Sequence, residues 1–534
     1  MISAIILARC NSSRLPNKHF YKIGDKRLID INIQNLLLNK LIKNIYLGTG
    51  NVKENIKFKK YLDKNYKKKI NIYFHKNSEN VTERIYYLTK KINTKYTVLI
   101  SGDCCLVDNN FITRLYNQLT LSNKDFIKSK KKLIHEGITL FRTQSWKKVY
   151  ENTSESYQKE HPGYVVKEYP KLFNICDYKP LKYEIGKNLR LSVDTESDLN
   201  FFNSHYYYLK DIGKNFNLKN VIRSNNFNFL NAHVMQKKAS INKEPKICII
   251  TMSSKKVGIG HLSRSKVLLR EINETISSNV KLLVIGKKLR EQNSIYQKKI
   301  KFISKLSNSL FYKYEKIILD LPKKNFDKIK DNLLNRKNVV VIDNYRNLKN
   351  TKFIIPCIRK IKSKNDNLFS GRDFLILSRD ILKERRNIKK THKNLLFLSG
   401  SGNLNTDIFN FLKKNKKNTD LIIGPLISKN ELQSIKKNKI NFIINPENIF
   451  NRIVNANDVY CKFGVSTFEI IALNKKPVVF NVNEKGERKK DINTLYKLGL
   501  IKIFKNNKLI FKKSKIKIDI NFALKNIINV INSI

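Results

Sequence analysis

Short apolar runs alternate with amphipathic stretches from the first residues of the chain. Ile2–Leu7, Ile45–Gly48, Ile70–Phe74 and Tyr96–Ile100 are strand-like, and Leu28–Leu41 and Val81–Lys91 between them have helical periodicity. Buried strands separated by helices predict a parallel sheet wrapped by helices, with ligands gathering at the carboxyl ends of the strands. The pattern lapses in the polar stretch Gln236–Glu244 and restarts after Pro245 with Ile247–Thr251. Ile317–Leu319, Val339–Ile342, Leu395–Leu398, Leu421–Ile423, Val459–Lys462 and Pro477–Phe480 follow, divided into two groups by the basic stretch Lys383–Lys393. The prediction is an α/β protein with a Rossmann-like domain at 1–235, a linker at 236–245, and two further lobes at 246–385 and 386–534 facing each other across a cleft.

Composition supports folded domains and changes little else. A chain of 534 residues exceeds one hydrophobic core, and 41% hydrophobic residues suffice to build several. The formal net charge of +63 suggests a nucleic-acid partner at first sight. Lysine is instead spread through nearly every window, usually beside Asn or Ile, as in Lys414-Asn415-Lys416-Lys417-Asn418. Such a chain-wide bias is what an AT-rich coding sequence produces. There is no arginine stripe with interleaved aromatics, so no specific nucleic acid is expected. The surplus would still draw anionic substrates. The seven cysteines include no C-x-x-C pair, which fits a reducing compartment rather than a disulfide framework or a zinc site. No apolar run reaches membrane length, and Met1–Ala8 is too short for a signal peptide, so a cytoplasmic protein is expected.

The first candidate chemistry follows the first strand. Ala8-Arg9-Cys10-Asn11-Ser12-Ser13-Arg14-Leu15-Pro16-Asn17-Lys18 supplies backbone donors, hydroxyls and three cations, which suits a polyphosphate. An ordinary basic loop is the plain alternative. Asp103 and Asp194 each follow an apolar run and could share a metal at one sheet edge, or serve as turn and capping residues.

This loop resembles the signature of the cytidylyltransferases that make CMP-activated acidic sugars, the acylneuraminate and spore-coat polysaccharide branch. Four further segments resemble the family's in the same order: Ile23-Gly24-Asp25-Lys26-Arg27-Leu28, Ser101-Gly102-Asp103-Cys104-Cys105-Leu106, Lys159-Glu160-His161-Pro162 and Leu189-Arg190-Leu191-Ser192-Val193-Asp194-Thr195. The resemblance covers residues 1–210 and implies a nucleotidyltransferase fold. It implies nucleotide contacts from Ala8, Arg9, Ser12, Arg14, Lys18 and Gly102, and Mg²⁺ on Asp103 and Asp194. The substrates it implies are CTP and an acidic sugar; His161 would touch the sugar carboxylate, with a structural hydrogen-bonding role as the plain alternative. Leu7, Asn17 and Cys105 depart from the common family residues and bear on sugar or base selectivity.

The second candidate chemistry is Val257-Gly258-Ile259-Gly260-His261-Leu262-Ser263-Arg264, after the strand Ile247–Thr251. Two glycines admit a ligand to the backbone, the following helix turns its N-terminus to it, and a His there can be a general base. A tight turn with an exposed His is the plain alternative. The segment resembles the opening of the UDP-sugar hydrolase of the pseudaminic-acid pathway, a GT-B-like enzyme. Leu398-Ser399-Gly400-Ser401-Gly402-Asn403 and Phe463-Gly464-Val465-Ser466-Thr467-Phe468-Glu469 resemble its second-lobe loops, and Pro477-Val478-Val479-Phe480 the strand that follows. The resemblance spans residues 246–505 and implies a two-lobed GT-B-like domain. Gly258, Gly260, Gly400, Gly464, Ser466 and Thr467 would line a UDP-sugar site, Glu469 would hold the ribose, and His261 would activate water. Glu469 as a first-turn helix glutamate is the plain alternative. Asn403 and Asp320-Leu321-Pro322 depart from the hydrolase pattern, which leaves the acceptor open.

The expected function is a bifunctional nucleotide-sugar enzyme of surface polysaccharide biosynthesis, coupling CTP to a nonulosonic acid and hydrolysing a UDP-linked amino sugar. A UDP-sugar glycosyltransferase is the alternative for the second half, and a basic nucleic-acid-binding protein the alternative for the whole. A homo-oligomer is compatible with either enzyme.

Overall fold

The computed structural model describes residues 1–67, 69–135, 137–186, 191–224, 244–287, 296–384, 394–397, 406–446, 449–480, 486–505, 508–510 and 518–534. The chain divides into two compact units, Met1–Val234 and Met235–Ile534.

The N-terminal unit is built on a seven-stranded sheet ordered Ile70–Phe74, Ile42–Thr49, Ile2–Leu7, Tyr96–Ser101, Ile138–Arg142, Phe126–Lys128, Ile175–Asp177. The first four strands are parallel, as the strand and helix alternation predicts. The wholly parallel sheet is corrected beyond them: Ile138–Arg142 runs antiparallel to both of its neighbours. Ile2–Leu7 is central, and Ile2, Ala4, Ile5 and Ile6 are fully buried against helices on both faces. A continuous apolar run, rather than an alternating one, is what a strand covered on both faces requires. The helix predicted over Leu28–Leu41 ends at Leu37, and Leu38 and Asn39 turn the chain into the strand that begins at Ile42.

The C-terminal unit contains two seven-stranded sheets. The first is ordered Ile300–Ile303, Val280–Ile285, Ile247–Met252, Lys316–Asp320, Val339–Ile342, Lys352–Ile355, Leu368–Ser370, and every pairing is parallel. The second is ordered Phe442–Ile444, Thr419–Ile423, Asn394–Phe397, Val459–Lys462, Val478–Phe480, Lys502–Lys505, Lys508–Ile510, with only its last pairing antiparallel. The helix Ile520–Asn532 joins the two cores. Its Ile520 and Leu524 pack with the second sheet, and its Ile527 and Ile531 with the first. Lys316 Nζ donates to the carbonyls of Ile531 and Asn532, fixing the end of that helix to the first sheet.

All seven cysteines are free and buried. No described helix is long and apolar enough to cross a membrane.

Candidate functional site

In the N-terminal unit the loop after Ile2–Leu7 and the turn after Tyr96–Ser101 lie side by side. Gly102 N–H donates to the Leu7 carbonyl at 2.8 Å, and a Cβ on Gly102 would stand 2.6 Å from that same oxygen. Only glycine fits so close an approach. The Gly102 carbonyl accepts from Asn32 Nδ2 at 2.9 Å and faces His19 Nδ1 at 3.1 Å. Burial, with the Lys18 charge beside it, pulls the His19 pKa down to about 3, so the ring is a neutral clamp. Sequence reasoning missed both His19 and Asn32, because each is read only through the carbonyl it holds.

The fold then brings two distant carboxylates together. Val193 N–H donates to the Asp103 carbonyl, Cys105 N–H to the Leu191 carbonyl, and Cys104 bridges Ser192. Asp194 enters the site on this ribbon, and Asp198 fixes its backbone by accepting from the Asp194 and Thr195 N–H groups. Lys18 Nζ sits between them, 2.5 Å from Asp103 Oδ2 and 2.6 Å from Asp194 Oδ1. Burial alone would lower the Lys18 pKa, but the two carboxylates outweigh it and raise the value, so the ammonium stays charged. Ser101 Oγ donates to the other Asp103 oxygen at 2.6 Å.

Two carboxylates converging on one cation-sized point fit Mg²⁺, which takes one or two carboxylates and completes its shell with water and phosphate oxygens. Among the described residues no group of three or more His, Cys, Asp or Glu side chains is placed to hold a metal, so a bound ion would lean on its substrate.

Ala8 is buried and its N–H donates to the Gly48 carbonyl. Arg9 reaches Glu160 Oε1 at 3.4 Å, which links the phosphate-type loop to the segment carrying His161. His161 ends the short helix Ser156–Glu160, with its ring against Tyr164. Ser12 Oγ accepts from Leu15 N–H, so it shapes the loop, and Arg14 is half-buried on it. Arg84, also missed from sequence, is 2% exposed and among the described residues has no carboxylate partner. Its Nη2 donates to the Ser78 carbonyl at 2.7 Å, its Nε is buried without a partner, and burial lowers its pKa to about 10. Its stem lies over Gly48, whose carbonyl accepts from Ala8 N–H.

The C-terminal unit holds a cleft of about 580 Å³ bordered by both of its sheets. Gly258, at φ +80°, turns the chain back so that the helix Gly260–Thr275 begins at the cleft. His261 Nδ1 lies 2.6 Å from Asp320 Oδ1 and 3.1 Å from Arg264 Nη2. The carboxylate is the nearer partner and can only accept, which assigns the Nδ1 proton to that bond and leaves Nε2 as an acceptor. Arg264 also binds both oxygens of Asp320, at 2.8 and 2.6 Å, and Asp343 Oδ2 at 2.9 Å. Burial would raise the Asp320 pKa, but Arg264 and His261 reverse this and hold it at about 2. Asp343, missed from sequence, adopts φ +66° at the end of its strand and lines the cleft.

Across the cleft, Gly464 and Ser466 line the wall, while the buried Thr467 hydroxyl accepts from Gly464 N–H and so holds the loop. Gly260 and Gly464 each leave open space where a Cβ would stand. Glu469 lines the same wall, and burial raises its carboxyl from the ordinary 4.5 to about 7. Gly400 lies outside the described residues, as do the flanking Ser399 and Ser401 through Asn403, and Leu189 and Arg190 of the N-terminal unit.

The N-terminal region is similar in sequence to nucleotidyltransferases. Within that class, residues 3–223 match the family model described as Cytidylyltransferase, a match wholly inside the N-terminal unit. An uncharacterized protein of Methanocaldococcus jannaschii is 26% identical over 245 residues, covering 46% of this chain and 96% of that protein. A cytidylyltransferase structure from Leptospira borgpetersenii serovar Hardjo-bovis is 20% identical with a TM-score of 0.39, covering 44% of this chain and 99% of its own. A CMP:2-keto-3-deoxy-manno-octonic acid synthetase complexed with CTP is 13% identical with a TM-score of 0.31, covering 39% of this chain and 98% of its own.

The Glu469 environment sets a pH dependence. The folded state keeps this proton up to about 7, whereas the unfolded chain releases it near 4.5. Stability of the C-terminal unit should therefore fall as pH rises from 4.5 to 7 and level off above. Glu469→Gln should flatten that part of the curve, read as the thermal midpoint at pH 5 and pH 8; an unchanged difference between the two would contradict it.

Proposed function

We propose that the N-terminal unit transfers the cytidylyl group of CTP to an acidic sugar and releases pyrophosphate. The observation that carries this reading is the convergence of Asp103 and Asp194 beside the Arg9–Lys18 loop, within the segment that matches the family model. In the reaction a sugar hydroxyl gives up its proton to solvent as its oxygen bonds to the α-phosphorus, the bond to the β-phosphate oxygen breaks, and pyrophosphate leaves with the electron pair. Mg²⁺ held by Asp103 and Asp194 would supply neutralisation of the phosphate charge. Arg9, Arg14 and Lys18 bind the phosphate oxygens, while the clamped Gly102 turn keeps Asp103 in place and the ribbon through Ser192 keeps Asp194.

The unpaired Arg84 fits the same reading. A buried guanidinium with neither a carboxylate nor a full set of acceptors is costly unless a ligand completes it. Its stem lies over Gly48, whose carbonyl accepts from Ala8 N–H, and from there the guanidinium would take an anionic or carbonyl oxygen of the nucleotide. Arg84→Met should weaken CTP binding by about tenfold or more, since a hydrogen bond to a charged group contributes about 1.5–3 kcal/mol. Unchanged CTP affinity by calorimetry would remove Arg84 from the site.

For the C-terminal unit we propose a two-lobed GT-B-like nucleotide-sugar site that hydrolyses a UDP-linked amino sugar. The His261–Asp320 pair carries this reading. Nε2 takes a proton from water, the water oxygen bonds to the anomeric carbon, and UDP leaves. Asp320, held in place by Arg264 and Ser265, keeps the ring in the required tautomer. Glu469 takes the ribose hydroxyls, and the wall around Gly464–Ser466 faces the diphosphate.

Pyrophosphate release with CTP, Mg²⁺ and a panel of acidic sugars tests the first assignment, and no release from the folded protein would refute it. Asp103→Asn should abolish turnover while CTP still binds weakly; wild-type turnover in that variant would take Asp103 out of the metal site. His261→Ala should lose release of UDP from UDP-sugars yet keep UDP binding, and unaltered release would refute the base role. UDP release that requires an added sugar acceptor would instead favour a glycosyltransferase.

A further inference from the structure

The ammonium of Lys18 occupies the point on which the carboxylates of Asp103 and Asp194 converge, 2.5 and 2.6 Å away. An ammonium and a divalent cation exclude each other at that point, because like charges so close repel strongly and both draw on the same pair of carboxylates. The Lys18 side chain is 9% exposed, so the contact is enclosed rather than a loose surface pair. Buried charges keep their place only with a partner, so Lys18 cannot leave the carboxylates for an apolar wall or for nothing. The loop that carries it also carries Arg9 and Arg14, the cations suited to phosphate oxygens. A nucleoside triphosphate arriving with its metal offers Lys18 an anionic partner at the moment the metal takes the carboxylates.

We propose that Lys18 is a resident stand-in for the metal, holding Asp103 and Asp194 together until a metal–nucleotide complex displaces its ammonium onto the phosphates. This rests on the nucleotidyltransferase reading and adds to it an order of events: the metal enters with the nucleotide, not before it. Free divalent metal binds the resting protein weakly because it must first expel a covalently tethered competitor. Removing the ammonium takes away the cation that stands between the two carboxylates, and a divalent ion can then take that place.

The experiment measures Mn²⁺ binding to the full chain without nucleotide, by the loss of the free-ion electron paramagnetic resonance signal. Lys18→Met and Lys18→Gln should each bind Mn²⁺ about tenfold or more tightly than wild type, as expected when a competing unit charge is removed from a partly buried site. Adding Asp103→Asn to Lys18→Met should cancel the gain. Equal affinity in wild type and in whichever Lys18 variant folds, judged by circular dichroism, overturns the proposal. So does a gain that persists with Asp103→Asn, because the ion is then elsewhere. The nucleotidyltransferase reading fails separately, by absence of CTP binding and pyrophosphate release in wild type, and the Mn²⁺ comparison does not depend on either.

Discussion

A single ammonium group enclosed by two carboxylates sets the constraints on the N-terminal unit. Lys18, Asp103 and Asp194 come from three separate stretches of chain, and their charges cannot be buried singly without a large desolvation penalty. The sheet positions the first two through the Gly102 turn, and the ribbon joining Cys104 to Ser192 delivers the third. Much of the surrounding polar structure serves this arrangement. His19 and Asn32 hold the Gly102 carbonyl, Ser101 orients Asp103, and Asp198 fixes the backbone of Asp194.

The C-terminal unit solves a related problem differently. Its buried charge is a guanidinium, Arg264, satisfied by both oxygens of Asp320 and one of Asp343. An arginine cannot surrender its proton, so the pair keeps Asp320 ionised while His261 uses it as an anchor. One buried cation thus organises each unit. In the first it stands between two carboxylates from distant stretches of chain, and in the second it stands behind the His261 ring.

Much of this architecture is legible along the chain, and the gaps have physical causes. Strands buried on both faces, such as Ile2–Leu7, Val339–Ile342 and Val459–Lys462, announce themselves as largely apolar runs. Phe126–Lys128 and Ile175–Asp177 have three residues each, too few to show a period, so the mixed half of the first sheet was hidden. Glycine and arginine spacing marks the loops near Arg9 and His261 because loop chemistry is local. The Lys18 bridge is not local, and neither is the lone Arg84, whose helix presents it as an ordinary amphipathic residue. Asp343 is concealed for another reason: a left-handed backbone at a non-glycine leaves no mark in sequence.

The helix Ile520–Asn532 has a consequence for how the C-terminal unit forms. Its Ile527 and Ile531 fill the core of a sheet whose strands begin at Ile247, with the whole second sheet lying between them in sequence. Loop closure over that span must precede completion of the first core. During synthesis, therefore, the first sheet emerges with an apolar groove on one face and keeps it open while the second sheet is made. A nascent chain in that state is a natural client for chaperones, and completion of the first core waits for Ile520–Asn532 rather than for the first strands to pair.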